Sequence, residues 1–276
     1  MASPVTRSSA RVNSPHPVSA RPSERPFFCV LALLFAASTA LTVAWCASMT
    51  AMGDMRMPGG WTMSMAWMRM PGQTWLGAAA SFVGMWTAMM MAMMLPTLMP
   101  MLLRYRKAVD REGEMHLDRL TAQVGIGYFS VWTALGMAVF PIGVALAAVE
   151  MQLPSLAQAV PIALGLIVVF AGGLQFTAWK AHHLACCRPP GSCMLKDTDT
   201  AWRHGVRLGL HCCYCCAGQT AILLVIGVMD LRAMLVVTAA NLVERFAPGG
   251  ARAAQALGAV SVVAGLSLIA RAAERG

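Results

Sequence analysis

The sequence predicts an all-α, polytopic helical membrane protein of six or seven transmembrane helices. Three observations carry this reading: 58% of the 276 residues are hydrophobic, only 12% are charged, and the charges leave four long intervals empty. The intervals are 70–103, 120–149, 151–179 and 208–229, each at or beyond the roughly 20 residues that cross a bilayer as a helix. A soluble domain carries about 25% charged residues. A net charge of +9 would suggest nucleic acid in a soluble chain, but in a membrane protein basic residues first report topology. The expected partner is therefore the lipid bilayer, with no nucleic acid.

The elements follow in order. Residues 1–26 are rich in Ser, Pro, Ala and Arg and show no hydrophobic period, which predicts a disordered, basic cytoplasmic tail. The rest, 27–276, reads as a single transmembrane helical domain. Phe27 to Ser48 is the first span; a signal peptide has the same signature, but the apolar stretch is longer than a signal core. The second span runs from about Trp75 to Leu103, and Pro96 and Pro100 should kink its end by removing backbone donors. The third and fourth lie near Gln123–Val149 and Ala157–Trp179. A basic loop, 180–207, separates them from a fifth span near Leu208–Asp230. A sixth, around Ala233–Val243, must carry Arg232 or the Glu244–Arg245 pair at its ends, and Ala253–Ala270 is a seventh. With the N-terminus inside, 16 of the 21 Lys and Arg fall on the cytoplasmic side and 5 outside, as the positive-inside rule requires. A re-entrant sixth element gives the same ratio, so charge leaves the side of the C-terminus open.

Sulfur is segregated. Of 23 Met, sixteen lie in 49–101, and seven of the nine Cys lie in 186–216. Thiolate and thioether are the soft ligands that select copper(I). The external loop 49–70 is Met-rich, with Met63, Met65, Met68 and Met70 as candidate ligands, because a thioether needs no deprotonation and resists the oxidation that threatens thiols outside the cell. A flexible apolar loop resting on the membrane interface would use Met equally well. In the second span Met85, Met89 and Met93 recur at i, i+4 and i+8 on one helical face, either as a file for a soft cation or as packing.

The Cys/His-rich region 180–207 and the start of span five hold the third constellation. Cys212, Cys215 and Cys216 lie within one turn, and His211 is one turn before Cys215. Upstream, His182 and His183 stand four residues before Cys186 and Cys187. Two Cys/His half-sites on one membrane face suit a joint metal site, and a reducing cytoplasm disfavours disulfides. Buried or palmitoylated cysteines and a structural zinc site are the competing readings; the Met segments bias the metal towards copper(I) over zinc. No Ser-His-Asp spacing, phosphate-binding loop or paired carboxylates suggest an enzyme. The catalytic alternative is a membrane thiol oxidoreductase using Cys212-x-x-Cys215, and a third class is a scaffold whose zinc is structural.

The run Trp86-x-x-Met89-Met90-x-Ala92-Met93-Met94-x-Pro96, with Pro100 after it, resembles the first signature of a bacterial family of predicted metal-binding integral membrane proteins. A second signature matches in Gln175, Lys180, Cys187-Arg188, Pro190, Trp202, Gly209, Cys212, Cys215, Cys216 and Gly227-Val228-Met229. The resemblance covers about residues 60–270. Tyr214, Ala217 and Asp230 depart from the family pattern, and Cys186 and Cys213 look like additions. The family is a domain of unknown function sometimes labelled copper chaperone. It implies a membrane-embedded metal-binding protein without an established mechanism. The charge count and the sulfur pattern add the rest of the expectation: a multi-pass protein of the bacterial inner membrane, its N-terminus cytoplasmic, that takes copper(I) from the Met-rich loop to the Cys/His site and hands it to a copper-accepting protein.

Overall fold

The computed structural model of the protein describes residues 24–51, 53, 55–56, 62–63, 65–69, 72–111, 116–188 and 200–274. The expected tail falls outside them up to residue 23, and Arg25 and Pro26 already open the first helix. Among the described residues the chain forms α1 (Arg25–Ala51), α2 (Trp75–Arg111), α3 (Leu117–Gln152), α4 (Pro154–Leu174), α5 (Ala178–Cys187), α6 (Ala201–Ile226), α7 (Leu231–Phe246) and α8 (Gly250–Ala273). Between α1 and α2 lie two paired two-residue strands, with Met55 opposite Met63, and a 3₁₀ turn, Met65–Trp67.

Five of these helices, α1, α2, α3, α6 and α8, are long and apolar enough to cross a membrane, and the bent pair α4–α5 makes a sixth if it is one span. The fold is thus that of a helical, multi-pass membrane protein with five or six candidate spans among the described residues, against the six or seven expected. The segment read as another span is α7, only 16 residues long. Side chains on the outer faces are apolar, as lipid requires: Leu33 and Phe170 are each 70% exposed and Val260 66%.

Two stretches differ from the sequence reading. The fourth span does not run unbroken to Trp179; it bends by 67° between α4 and α5. Thr177 builds the break, because its hydroxyl donates to the Leu174 carbonyl at 2.7 Å and accepts from the Lys180 amide at 3.2 Å. One side chain therefore satisfies groups at the end of one helix and the start of the next. Region 180–207 is also more ordered than a loop, since α5 fills its start and α6 begins at Ala201.

Glycine decides how closely the helices approach. A Cβ at Gly205 of α6 would collide with the Val124 carbonyl of α3, and one at Gly209 would stand 2.8 Å from the Tyr128 carbonyl. On the other side, Gly165 and Gly172 of α4 face Gly265 and Gly258 of α8 in the same way. Small residues let apolar helices pack backbone to backbone, which matters in a bilayer where no hydrophobic effect drives helices together. Between α2 and α3, Trp86 Nε1 donates to the Trp132 carbonyl at 2.9 Å with both rings fully buried. That bond and the Trp86 ring lying over Gly136 fix the rotation of α2, which turns Met85, Met89 and Met93 inward. α6 ends at Gly227, whose φ of +133° is open to glycine alone.

Candidate metal centre

The i, i+3, i+4 spacing of Cys212, Cys215 and Cys216 puts them on one face of α6, and that face points inward: none is more than 3% exposed. Cys187, the last residue of α5, joins them and is equally buried. The thiols lie side by side, Cys187 next to Cys215, Cys215 next to Cys216 and Cys216 next to Cys212. Among the described residues no group of three or more His, Cys, Asp or Glu side chains is placed so that it could hold a metal ion without rearrangement.

α7 supplies the polar surroundings through Asn241, Glu244 and Arg245, spaced to share one face. Arg245 donates one Nη2 group to Cys212 Sγ at 2.8 Å and Cys216 Sγ at 3.2 Å. Cys216 donates to Asn241 Oδ1 at 3.1 Å, and Tyr128 of α3 donates its hydroxyl to Cys212 Sγ at 2.8 Å. Glu244 is held by Lys180 Nζ at 2.7 Å and by Gln219 Nε2 at 2.7 Å, while Lys180 also donates to the Cys215 carbonyl at 2.6 Å. Arg188 donates to the carbonyls of Glu244 and Ala247, tying the end of α5 to the end of α7.

The charges can be counted. Lys180 and Glu244 neutralise each other in a pair that is almost wholly buried. Among the described residues Arg245 has no such carboxylate partner, and its charge faces sulfur. Arg245 Nε and Asn241 Nδ2 are buried donors without a hydrogen-bond partner among the described residues. A buried cation with spare donors is costly unless negative charge arrives, and thiolates are the groups placed to supply it. Such a donor set suits a soft ion.

The column on α2 reaches this centre. Met85, Met89, Met90, Met93 and Met94 are all at most 4% exposed, in one core cluster with the four cysteines. Met94 Sδ lies 4.0 Å from Cys212 Sγ. At the opposite end Met68 and Met85 line a common cleft. Met63 stands in β2 and Met65 opens the 3₁₀ turn; Met70 lies outside the described residues.

The histidines form a separate group. His183 Nδ1 and His211 Nδ1 are 3.0 Å apart, and the His182 ring is 5.3 Å from that of His183. Trp179 and Tyr214 complete this partly exposed cluster, on a different side of α6 from the thiols. Cys186 is buried on α5 beside Cys187. Of the residues read from the sequence, the structure places Cys187, Cys212, Cys215 and Cys216 together in one buried cluster. Sequence reasoning misses Tyr128 and Asn241, and reads the Glu244–Arg245 pair only as a possible end of the sixth span. The signal was the position of Asn241 three and four residues before that pair, which puts all three polar groups on one helical face.

Residues 83–268 match the sequence family PpoB2, described as a copper chaperone. The chain belongs to this family. The match includes the whole thiol centre and the column on α2, and leaves out α1 and the Met-rich loop. No curated protein and no solved structure matches the chain. The family description makes copper the ion to test against this donor set.

Proposed function

We propose that the protein binds copper(I) within the membrane, receives it at the Met-rich end, and passes it along α2 to the thiols of Cys187, Cys212, Cys215 and Cys216. The observation that carries this reading is the contact between Met94 Sδ and Cys212 Sγ at 4.0 Å, where thioether column and thiol centre meet. Copper(I) between two thiolates carries one net negative charge. Arg245, already donating to Cys212 and Cys216, balances it in a setting where an unpaired charge is expensive. The function is carriage without catalysis, and copper leaves to an accepting protein. Thioethers bind while neutral and thiolates bind as anions, so affinity rises towards the cysteines and favours delivery to their side.

The proposed orientation places the N-terminus and the Cys-rich end in the cytoplasm of a bacterial inner membrane, in keeping with the positive-inside count. Labelling intact cells from outside should reach a cysteine introduced by Ser64→Cys and miss Cys193. Labelling of both would reverse or abolish this topology.

The decisive test of the centre is replacement of Cys212, Cys215 and Cys216 together by Ser, since a hydroxyl is a poor ligand for a soft ion. Copper content of the purified protein should fall by at least tenfold, and unchanged content would refute the assignment. Stoichiometric zinc in the parent protein, with no copper, would favour the structural scaffold instead.

A further inference from the structure

The copper reading accounts for Met68 and Met85 but gives no role to two further thioethers beside them. Met49 near the end of α1, Met68 just after the 3₁₀ turn, Met85 of α2 and Met229 in the turn between α6 and α7 line one cleft. We propose that Met49, Met68, Met85 and Met229 form a thioether capture site for a soft monovalent cation, copper(I) or its analogue silver(I), at the mouth of the α2 column. This site rests on the copper reading and specifies where the ion is first held.

Four independent stretches of chain each deliver a methionine to the same place. Packing alone would be served by Leu or Ile, whose rotamers are better defined, whereas a thioether adds a soft donor that needs no deprotonation. Among the described residues none of the lining side chains is ionisable. The nearby Asp230 carboxylate is occupied by the Arg232 and Ala233 amides at the start of α7, so the lining selects by softness. Trp45 and Phe82 add aromatic faces to the wall, whose electron-rich surfaces attract a cation. Phe82 packs against three further rings, tilted to Trp67 at 5.1 Å and to Phe140 at 5.2 Å and stacked on Trp86 at 6.1 Å.

Continuity with the column is direct, because Met85 belongs to both. From Met85 to Met94 the helix rises about 13 Å, with Met89 and Met93 each one turn further along the same face. Met94 then touches Cys212. A captured ion therefore has thioether neighbours at every turn until it meets a thiol.

The test uses the full chain and silver(I), which avoids copper's redox chemistry. With all nine cysteines replaced by Ser, the protein should still bind silver(I). Adding Met49→Leu and Met229→Leu should weaken that binding at least tenfold. A second measurement needs no variant: silver(I) should protect Met49, Met68, Met85 and Met229 from oxidation by peroxide to the sulfoxide. Met137, which is 56% exposed on α3, should oxidise at the same rate with or without silver. The capture site is overturned if the Ser protein binds no silver(I), if the Leu changes leave its affinity intact, or if the four methionines gain no protection while the parent protein's thiols still bind the ion. In those cases the copper centre stands. A parent protein that binds neither silver(I) nor copper(I) overturns both.

Discussion

At the Met-rich end of α2 the four thioethers share a cleft whose described lining side chains are neutral, whereas at the far end Cys212 and Cys216 lie under the guanidinium of Arg245, itself 3% exposed. The first setting is built from loops, turns and helix ends. The second is built from three helices held by a buried ion pair and by carbonyl contacts from Arg188. A neutral site can take up an ion and release it without leaving charge behind. A site with fixed cations holds an anionic complex firmly. The contrast is one of retention, and it gives the column a direction although the same element, sulfur, lines it throughout.

The largest expected effect comes from dismantling the polar frame of the thiol end. Glu244→Ala leaves Lys180 buried without its partner and removes the acceptor of Gln219. Breaking a buried pair from one side costs about 3–5 kcal/mol, so the variant should unfold at much lower denaturing detergent than the parent. Replacing Lys180 and Glu244 together by Met and Leu should recover much of the loss, because no lone charge remains. If the single change proves harmless, the frame is not what holds α5, α6 and α7 together. Changes at the Met-rich end should leave this stability untouched.

The second effect is kinetic and falls where the two regions join. Met94→Leu keeps volume and apolarity but deletes the sulfur that faces Cys212, with a packing cost under about 1.5 kcal/mol. Copper(I) presented at the Met-rich side of proteoliposomes should reach the thiols about tenfold more slowly, equivalent to about 1.4 kcal/mol on the barrier. Final stoichiometry should be unchanged. An unaltered rate would show that the ion reaches the thiols by another route, and would separate the two regions functionally.

Much of the frame is legible in the sequence. Uncharged intervals of bilayer length announce α2, α3, α6 and α8 because lipid tolerates few charges, and one-turn spacing announces the face shared by Cys212, Cys215 and Cys216. What stayed hidden depends on partners distant in sequence. Glu244 and Arg245 look like a helix end at the water boundary, yet Lys180 meets Glu244 across 64 positions, and the thiols receive Arg245. The bend at Thr177 was hidden for the opposite reason, since a single hydroxyl bonding both ways changes neither charge nor hydropathy. In the sequence Met94 stands out only as part of the first signature; its significance lies in the contact with α6.

The smallest effect sharpens the comparison most finely, because it touches retention without touching capture. Tyr128 sits on α3, 84 positions from Cys212, and its buried hydroxyl donates to the sulfur at 2.8 Å. Phe fills the same space, so Tyr128→Phe removes one hydrogen bond and little else. Arg245 continues to donate to Cys212, which leaves the sulfur partnered and limits the loss to about 1 kcal/mol. If the hydroxyl stabilises the copper-bearing thiolate, that loss appears as roughly fivefold weaker copper(I) retention in competition with a chelator. Peroxide protection of the methionines at the other end should be the same as in the parent. Equal retention by the two proteins would mean that the tyrosine serves only to pack α3 against α6, and that Arg245 alone supplies the donors on which the thiol end depends.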